Sequence, residues 1–246
     1  KTGMIGTVCS MIGEEVIPSR LTTPDPIEVQ MLLKSMADAG AEYVVMEVSS
    51  HSLDQNRVHG IAFETAIFTN LTQDHLDYHK TFENYFAAKM RIFAQAQQAV
   101  VNRDDPHAER ILGELSIPYK TFGIREKADV SAAEIDITTR GVQFDMHCAL
   151  GNVRMYVPIP GLFSVFNAMG AAAAAMQLGL PLSAVKNGIE TMGSVSGRLE
   201  PLPTGGRDFT VLLDYAHTPD ALENILKTAR GFAEGRIVTL FGCGGE

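Results

Sequence analysis

Short apolar segments of strand length alternate with helical patterns through the first half of the chain. Tyr43–Val48 is a continuous apolar run, typical of a strand that is covered on both faces. Ile27, Met31 and Leu32 recur at helical spacing, and they predict a helix over Pro24–Ala39. The alternation predicts an α/β fold with a doubly wound, mostly parallel sheet. Further strands are predicted at Met4–Val8, Thr65–Leu71, Ala99–Asn102 and Tyr119–Phe122, and further helices at Thr81–Ala94 and Pro106–Leu115.

The pattern changes after residue 130. Ser131–Thr139, Val142–Leu150 and Val153–Pro158 alternate with period two and predict a small antiparallel sheet. An Ala-rich helix over Phe166–Leu178 must pack closely on a neighbour. A Pro- and Gly-rich stretch near residue 200 predicts a domain of residues 1–199 and the beginning of a Rossmann-like domain over residues 200–246. The remaining elements are helices at Leu182–Met192 and Pro219–Phe232, and strands at Phe209–Asp214 and Arg236–Phe241.

Composition and charge exclude several classes of protein. The net charge is −9, and no run of Lys and Arg occurs, so we expect no nucleic-acid partner. Cys9, Cys148 and Cys243 are widely spaced, which argues against a disulfide framework or a zinc site and favours a reducing cytoplasm. No signal peptide and no apolar run of about 18 residues is present, so no membrane insertion is expected. Because the chain does not begin with Met, we interpret it as a segment of a longer protein.

Polar side chains follow two of the predicted strands. The strand at 43–48 runs through Glu47 at its end to His51, and His75 follows the strand at 65–71 with several more carboxylates and imidazoles. Ligands bind beyond the carboxyl ends of strands in open parallel sheets. Oxygen-rich sets of this kind suit Mg²⁺ or Mn²⁺, and the alternative is N-capping and surface hydrogen bonding. The further polar residues of the second set are Asn70, Thr72, Asp74, Asp77 and His79.

Lys89 lies within the apolar stripe of its predicted helix. It follows Phe82, Tyr85 and Phe86 at helical spacing, so its ammonium is expected to point inward. A buried ammonium must be paired, neutral or modified, and a lysine of lowered pKa could take up CO₂ to form an anionic carbamate. The alternative is a lysine whose chain lies along apolar surface while its charge reaches water.

Two more segments offer anion-binding chemistry. Thr22, Thr23 and Pro24 open the first predicted helix, with Thr23 as its N-cap, and free N–H groups there suit a phosphate or a carboxylate. Capping alone would also explain them. Gln55 and Arg57 follow in a loop, where Arg57 is either a carboxylate ligand or a surface charge.

Residues of the second half could hold a nucleotide. Asp214, Tyr215 and His217 lie between a predicted strand and a helix, where a carboxylate and an aromatic face meet. Asn167 is a polar residue on the otherwise apolar Ala-rich helix. Both features could instead be structural. No Walker A, dinucleotide-binding or nucleophile-elbow motif occurs.

Taken in order, these segments resemble the Mur ligase family over essentially the whole chain. The string EVSSH followed by Gln55 and Arg57, with TTP upstream, is similar to the muramoyl-tripeptide synthetase type (MurE) of that family. The strings that carry the resemblance are LTTPDPIEVQ, YVVMEVSSHSLDQNRV, AIFTNLTQDHLDYHKTFENYFAAKMRIF, NRDDP, GLFSVFNAMGAAAAA, SGRLE, DYAHTPDALENIL and LFGCGGE.

The resemblance implies roles for individual residues. Glu47 and His75 match Mg²⁺ ligands, and Lys89 matches a lysine that is carbamylated by CO₂ and orders a second metal ion. Together, His75 and Lys89 are the implied catalytic residues. The residues that match a binding site for the UDP-muramoyl dipeptide are Thr22, Thr23, Ser49, Gln55 and Arg57. The residues that match the ATP-binding side are Asn167, Arg198, Asp214, Tyr215 and His217.

The implied activity is ATP-dependent amide formation in peptidoglycan biosynthesis. Diaminopimelate or lysine would be added to UDP-N-acetylmuramoyl-L-alanyl-D-glutamate through an acyl phosphate, by a monomeric cytoplasmic enzyme. The P-loop and the flanking domains of the family are missing from the sequence, so we expect residues 1–246 alone to be inactive. The alternatives are another ligase of the family, such as folylpolyglutamate synthetase or a lipid II amidotransferase subunit, and a non-catalytic nucleotide-binding module.

Overall fold

A computed structural model of the chain describes residues 1–72, 74–193 and 195–242. The chain divides into two compact units, one of residues 1–66 and 73–97 and one of residues 67–72 and 98–246. Helices and strands alternate along both, and the predicted α/β class is confirmed. Cys243 and the end of the string LFGCGGE lie outside the described residues.

A four-stranded sheet lies in the first unit. Its order is β3-β2-β1-β4, with antiparallel pairing among the first three strands and parallel pairing between β1 and β4. β1 ends before the predicted Met4–Val8 strand does, and the next two strands were not predicted because each has only four residues. The strands are β1 (Thr2–Ile5), β2 (Cys9–Ile12), β3 (Glu15–Pro18) and β4 (Tyr43–Met46).

The first helix, α1 (Pro26–Asp38), begins two residues later than predicted. Its N-cap is Asp25, with φ −64° and ψ 157°, so the prediction of Thr23 as N-cap is wrong. Because a residue that precedes proline is driven to extended backbone, Asp25 before Pro26 cannot be helical. The side chain of Thr23 bonds elsewhere, as described below.

The buried face of α1 also differs from the predicted one. Val29 and Met36 are fully buried, whereas Ile27 and Met31 are 76% and 65% exposed. A side chain added at Gly3 would lie 2.4 Å from the sulfur of Met36, so the missing side chain lets α1 pack directly on β1.

The prediction that Tyr43–Val48 is covered on both faces is wrong for the described chain. β4 is the last strand in the order of its sheet, and Tyr43, Val44 and Val45 are exposed. An edge strand has unpaired backbone groups on one side, and fewer neighbouring residues cover its side chains. A continuous apolar run in such a strand therefore does not show that its residues are buried.

Three helices and a 3-10 turn complete the first unit. The predicted helix over 81–94 divides, because its last turn tightens to 3-10 geometry before the next strand begins. Two of these helices were not predicted, because four or five residues are too few to show a helical period. The helices are α2 (Ser50–Asp54), α3 (Leu76–His79) and α4 (Phe82–Met90), followed by the 3-10 turn Arg91–Gln95.

A six-stranded sheet follows the order β10-β9-β8-β7-β6-β5. β6, β7 and β8 are parallel, whereas β8, β9 and β10 form an antiparallel meander. The three strands predicted to form a small antiparallel sheet do pair antiparallel, and they continue the parallel strands in the same sheet. The strands are β5 (Phe63–Phe68), β6 (Ala96–Asn102), β7 (Tyr119–Gly123), β8 (Val130–Thr138), β9 (Gly141–Cys148) and β10 (Gly151–Val157), and α5 (Ala108–Glu114) connects β6 to β7.

The main core of the second unit lies between this sheet and α6 (Leu162–Gln177). Ala172 and Ala173 are buried, and a side chain added at Gly170 would lie 3.2 Å from the ring of Phe122. The Ala-rich helix thus packs closely, as predicted, because small residues let its backbone approach the sheet. α7 (Leu182–Glu190) follows it.

A short hairpin and a helix follow α7. β11 (Glu200–Leu202) pairs antiparallel with β12 (Val211–Leu213), and α8 (Pro219–Phe232) is capped by the Thr218 hydroxyl. The strand predicted at Arg236–Phe241 does not form. Leu240 is fully exposed, and no strand of the described chain pairs with this segment, so its backbone gains no ladder of hydrogen bonds.

Asp104 stabilises the turn after β7. Its carboxylate accepts hydrogen bonds from the backbone N–H groups of Ile124, Arg125 and Glu126 at 2.9–3.2 Å. Replacing Asp104 with alanine is expected to lower the free energy of unfolding by about 1–2 kcal/mol, because these donors lose a charged acceptor in a partly buried turn. Urea denaturation checks this, with Asp208→Ala at an exposed carboxylate as the control. Equal midpoints for both variants would contradict it.

Candidate active site

The carboxylate of Glu47 lies just beyond β4 and is fixed by the loop after β1. Glu47 Oε2 accepts hydrogen bonds from the Thr7 backbone N–H at 3.2 Å and from the Thr7 hydroxyl. The hydroxyls of Thr7 and Thr22 are 3.1 Å apart. Two predicted site residues are therefore joined through Thr7, which the sequence reasoning missed because an isolated loop threonine carries no pattern.

Thr23 links three segments of the first unit. Its hydroxyl donates to the backbone oxygen of Glu47 at 2.9 Å and accepts from the N–H of Ser49 at 3.0 Å. Its own backbone oxygen accepts from Arg57 Nη1 at 2.9 Å. Thr23 is 1% exposed, and its hydrogen bonds connect the loop before α1 to the residues around α2.

Ser49 and Gln55 lie at the two ends of α2. The Ser49 hydroxyl caps the helix by accepting from the Ser52 N–H at 3.2 Å. At the other end, Gln55 Oε1 accepts from two nitrogens of Arg57, at 2.9 Å for Nε and 2.6 Å for Nη2. These two hydrogen bonds hold the plane of the Arg57 guanidinium.

A chain of polar contacts continues from Gln55 to the beginning of the 3-10 turn. Gln55 Nε2 donates to the Tyr78 hydroxyl at 3.3 Å, and Tyr78 donates to Asp54 Oδ2 at 2.8 Å. Asp54 Oδ1 is 3.2 Å from Arg91 Nη2. Tyr78, Asp54 and Arg91 are supporting residues that sequence reasoning missed, since tertiary contacts bring them together.

Three imidazoles and two phenols form an aromatic cluster around α3. The ring of His51 lies 4.8 Å from that of His75, 5.4 Å from that of His79 and 4.3 Å from that of Tyr78. The rings of His75 and His79 lie 5.8 Å and 5.3 Å from that of Tyr85. The predicted site residue His75 thus lies in a packed setting, with left-handed backbone at φ 56°.

Burial controls the protonation of this cluster. Desolvation, aided by the neighbouring imidazoles, lowers the pKa of His51, and desolvation likewise lowers the pKa of His79. Burial raises the pKa of Tyr85 to about 12, with the charge of Asp74 adding to the shift. His51, His79 and Tyr85 are therefore all favoured as neutral groups at pH 7.

Lys89 lies half-buried on α4, close to Tyr85. Its Nζ is 5.6 Å from the centroid of the Tyr85 ring, within reach of a cation–π contact. Tyr85 and Phe86 on the same helix are buried, so the inward direction predicted for Lys89 agrees with the packing of its neighbours. His75 and Lys89 thus approach the same ring.

The donors present suit Mg²⁺ with few protein ligands. Glu47 offers a carboxylate, and a side chain at Gly6 would lie 3.3 Å from its Oε1, so glycine there leaves that oxygen uncovered. His75 Nδ1 is 3.4 Å from Asp74 Oδ1, a pairing typical of metal-binding histidines. Within the described residues no group of three His, Cys, Asp or Glu side chains is arranged to hold a metal ion.

The predicted nucleotide residues form a second cluster in the second unit. Asp214 accepts from the N–H groups of Leu199 and Ala216, each at 2.8 Å. The Arg198 guanidinium carbon is 5.9 Å from the centroid of the Tyr215 ring, and the His217 ring is 5.1 Å from it. Tyr215 is 63% exposed, which leaves an open aromatic face beside a cation.

Asn167 lies on the exposed side of α6. Among the described residues no hydrogen bond, ion pair or ring contact joins Asn167 to Arg198, Asp214, Tyr215 or His217.

The pH dependence of stability follows from the lowered pKa values of His51 and His79. The unfolded chain binds protons at the ordinary histidine pKa near 6.5, whereas the folded chain resists them, so the free energy of unfolding falls as pH drops from about 7 to about 5. Melting temperatures of the full-length protein across this range check the prediction. His79→Gln should flatten the dependence and His59→Gln, at an exposed histidine, should not; equal slopes for all three proteins would contradict it.

Comparisons with known proteins match both parts of the chain. Residues 1–175 match the family model of the Mur ligase middle domain, and residues 197–246 match that of the Mur ligase glutamate ligase domain. The UDP-N-acetylmuramoyl-L-alanyl-D-glutamate–2,6-diaminopimelate ligase 1 of Clostridium acetobutylicum is 46% identical over 248 residues. The corresponding ligase of Clostridium botulinum is 45% identical over 247 residues.

The alignments cover the whole of this chain but only part of each relative. Both alignments cover 100% of this chain and 51% of the relative, so the chain spans about half the length of the curated relatives it matches. A solved structure of a UDP-N-acetylmuramoyl-L-alanyl-D-glutamate–2,6-diaminopimelate ligase superposes with a TM-score of 0.82 at 33% identity, covering 100% of this chain and 51% of that one. No described helix is long and apolar enough to cross a membrane.

Proposed function

We propose, since this chain belongs to the Mur ligase family, that its parent protein is an ATP-dependent ligase that adds diaminopimelate to UDP-N-acetylmuramoyl-L-alanyl-D-glutamate. The observation that carries this proposal is the similarity, over the whole of this chain and about half of each relative, to proteins that bear that name, at 46% and 45% identity. We also propose that the protein is a cytoplasmic monomer with domains of residues 1–199 and 200–246, in which Cys9 and Cys148 stay reduced.

The UDP-muramoyl dipeptide would bind along the contacts that join the loop before α1 to α2. Arg57 is the strongest group for a carboxylate, because its side chain is 16% exposed and Gln55 and Thr23 already fix its orientation. The proposed binding residues are Thr22, Thr23, Ser49, Gln55 and Arg57.

The reaction would form an acyl phosphate on the D-glutamyl carboxylate, with ADP as the leaving group. Attack by the amine of the incoming amino acid would then form the amide and release phosphate. Glu47 and His75 would hold Mg²⁺, which supplies charge neutralisation at the phosphoryl group when bound. Lys89 would act as a carbamate formed with CO₂, which replaces a cation by an oxygen ligand. The proposed ATP-binding residues are Asn167, Arg198, Asp214, Tyr215 and His217.

A substrate panel on the full-length protein tests this function. We would measure ADP release and product mass with ATP, Mg²⁺ and the UDP-muramoyl dipeptide, supplying diaminopimelate, lysine or no amino acid. The expected product contains diaminopimelate. A lysine product would correct the amino acid and keep the ligase. ADP release only with a pteroylglutamate acceptor, or none with any acceptor, would overturn the proposal.

A further inference from the structure

α3 is a single helical turn held between two unfavourable backbone positions. His75, its N-cap, has φ 56°, and Lys80, its C-cap, has φ 67°. Non-glycine residues adopt positive φ only at a cost, which surrounding contacts must offset. The groups that fix α3 therefore also fix the direction of the His75 side chain.

His79, the last residue of α3, supplies such contacts to two neighbouring helices. It is 5% exposed, and its Nε2 lies 2.9 Å from the hydroxyl of Ser50, itself a buried residue of α2. On the other side its ring stacks on Tyr85 of α4 at 5.3 Å and an interplanar angle of 24°. Its backbone oxygen accepts from Asn84 Nδ2 at 2.9 Å.

The ring of Tyr85 passes this restraint on to both proposed catalytic residues. The His75 ring meets Tyr85 edge-on at 5.8 Å, and Lys89 Nζ lies 5.6 Å from its centroid. His79 stacks on the same Tyr85 ring, although it belongs to α3 and Lys89 belongs to α4. We propose that His79 is a positioning residue, which holds Tyr85 and through it the relative placement of His75 and Lys89; this inference rests on the function proposed above.

The ring of the adjacent residue, Tyr78, lies 4.8 Å from that of His79, but its hydroxyl has a separable effect. Its hydroxyl joins Asp54 and Gln55, and thus the orientation of Arg57, and not the groups around Lys89. Positioning by His79 should therefore appear in kcat and in the Mg²⁺ requirement, whereas positioning by Tyr78 should appear in KM for the UDP-muramoyl dipeptide.

Steady-state kinetics of full-length variants test the role of His79. His79→Gln retains a hydrogen-bonding group for Ser50 and removes the ring, whereas His79→Phe retains the ring and removes the hydrogen bond. We expect His79→Gln to lower kcat about 10–100-fold and to raise the Mg²⁺ concentration for half-maximal rate about tenfold, the range found when supporting contacts of metal ligands are lost. His79→Phe should recover most of kcat, and Tyr78→Phe should change KM for the UDP-muramoyl dipeptide instead. His59→Asn is the surface control.

Two kinetic results would overturn the proposal. One is a His79→Gln enzyme with the kcat and Mg²⁺ requirement of the unmodified protein. The other is a kcat that falls only in proportion to the loss of folded protein, measured by thermal melting, because that result describes a purely structural residue.

A crystal structure of His79→Gln separates this inference from the proposed function. If the unmodified full-length protein forms no amide, the function fails, and the positions of Tyr85, His75 and Lys89 in the variant still decide the positioning role. Displacement of the Tyr85 ring together with His75 would support it. Unchanged ring positions would overturn it.

Discussion

Replacing Lys89 with alanine in the full-length protein is expected to reduce kcat on the order of 10²–10³-fold, the loss that follows removal of one group stabilising charge in a transition state. The half-buried lysine and the proposed Mg²⁺ ligand His75 both lie against the Tyr85 ring, so Lys89 is close to a residue of the proposed catalytic centre. Initial rates at saturating substrates measure the effect.

Two further substitutions identify the chemical state of Lys89. Lys89→Arg keeps a cation that CO₂ cannot convert to a carbamate, so it should be as impaired as the alanine variant. Lys89→Glu places a carboxylate near the same position and should recover part of kcat. The exposed Lys34→Ala variant is the control. Full activity in Lys89→Arg would show that a bare cation suffices and would remove the carbamate from the mechanism.

Replacing Arg57 with lysine is expected to raise KM for the UDP-muramoyl dipeptide about 10–100-fold, with a smaller change in kcat. Arg57 donates from three nitrogens to Gln55 and Thr23, and a lysine ammonium cannot reproduce this planar arrangement. A hydrogen bond to a charged group contributes about 1.5–3 kcal/mol, which corresponds to this range of affinity.

The matched control for Arg57→Lys is Arg20→Lys, at an exposed arginine of the same unit. Isothermal titration with the UDP-muramoyl dipeptide should give a weaker Kd for the Arg57 variant alone. An unchanged Kd together with a reduced kcat would place Arg57 in catalysis and contradict its proposed role in substrate binding.

The sequence predicted which side chains lie together in the first site more accurately than it predicted the helices and strands that carry them. Thr23 comes from one string and Ser49 and Arg57 from another, and the structure joins them through hydrogen bonds. Side chains that can donate and accept at several angles remain together when an element begins a residue or two later than expected. Supporting residues such as Thr7 and Asp54 were not predicted, because neither residue type indicates binding chemistry by itself and their partners, 40 and 24 residues away, are known only from the fold.

The errors in the fold have local physical causes. Pro26 moved the beginning of α1 past Asp25, because a residue before proline is driven to extended backbone, and the apolar run of β4 belongs to the edge of a sheet. Hydrophobic periodicity indicates which residues can be buried. Whether they are buried depends on the position of their strand in the sheet. The order of a sheet depends on pairing between distant segments, which a linear pattern does not contain.

The left-handed residues at both ends of α3 limit how the length of this segment can vary. An inserted or deleted residue between His75 and Lys80 would move one positive φ onto a neighbour and rotate the rings of Tyr78 and His79 away from their contacts. We therefore expect insertions and deletions in related chains to avoid residues 75–80. Loops such as the hairpin between β9 and β10, where Gly151 takes the positive φ, should accept them.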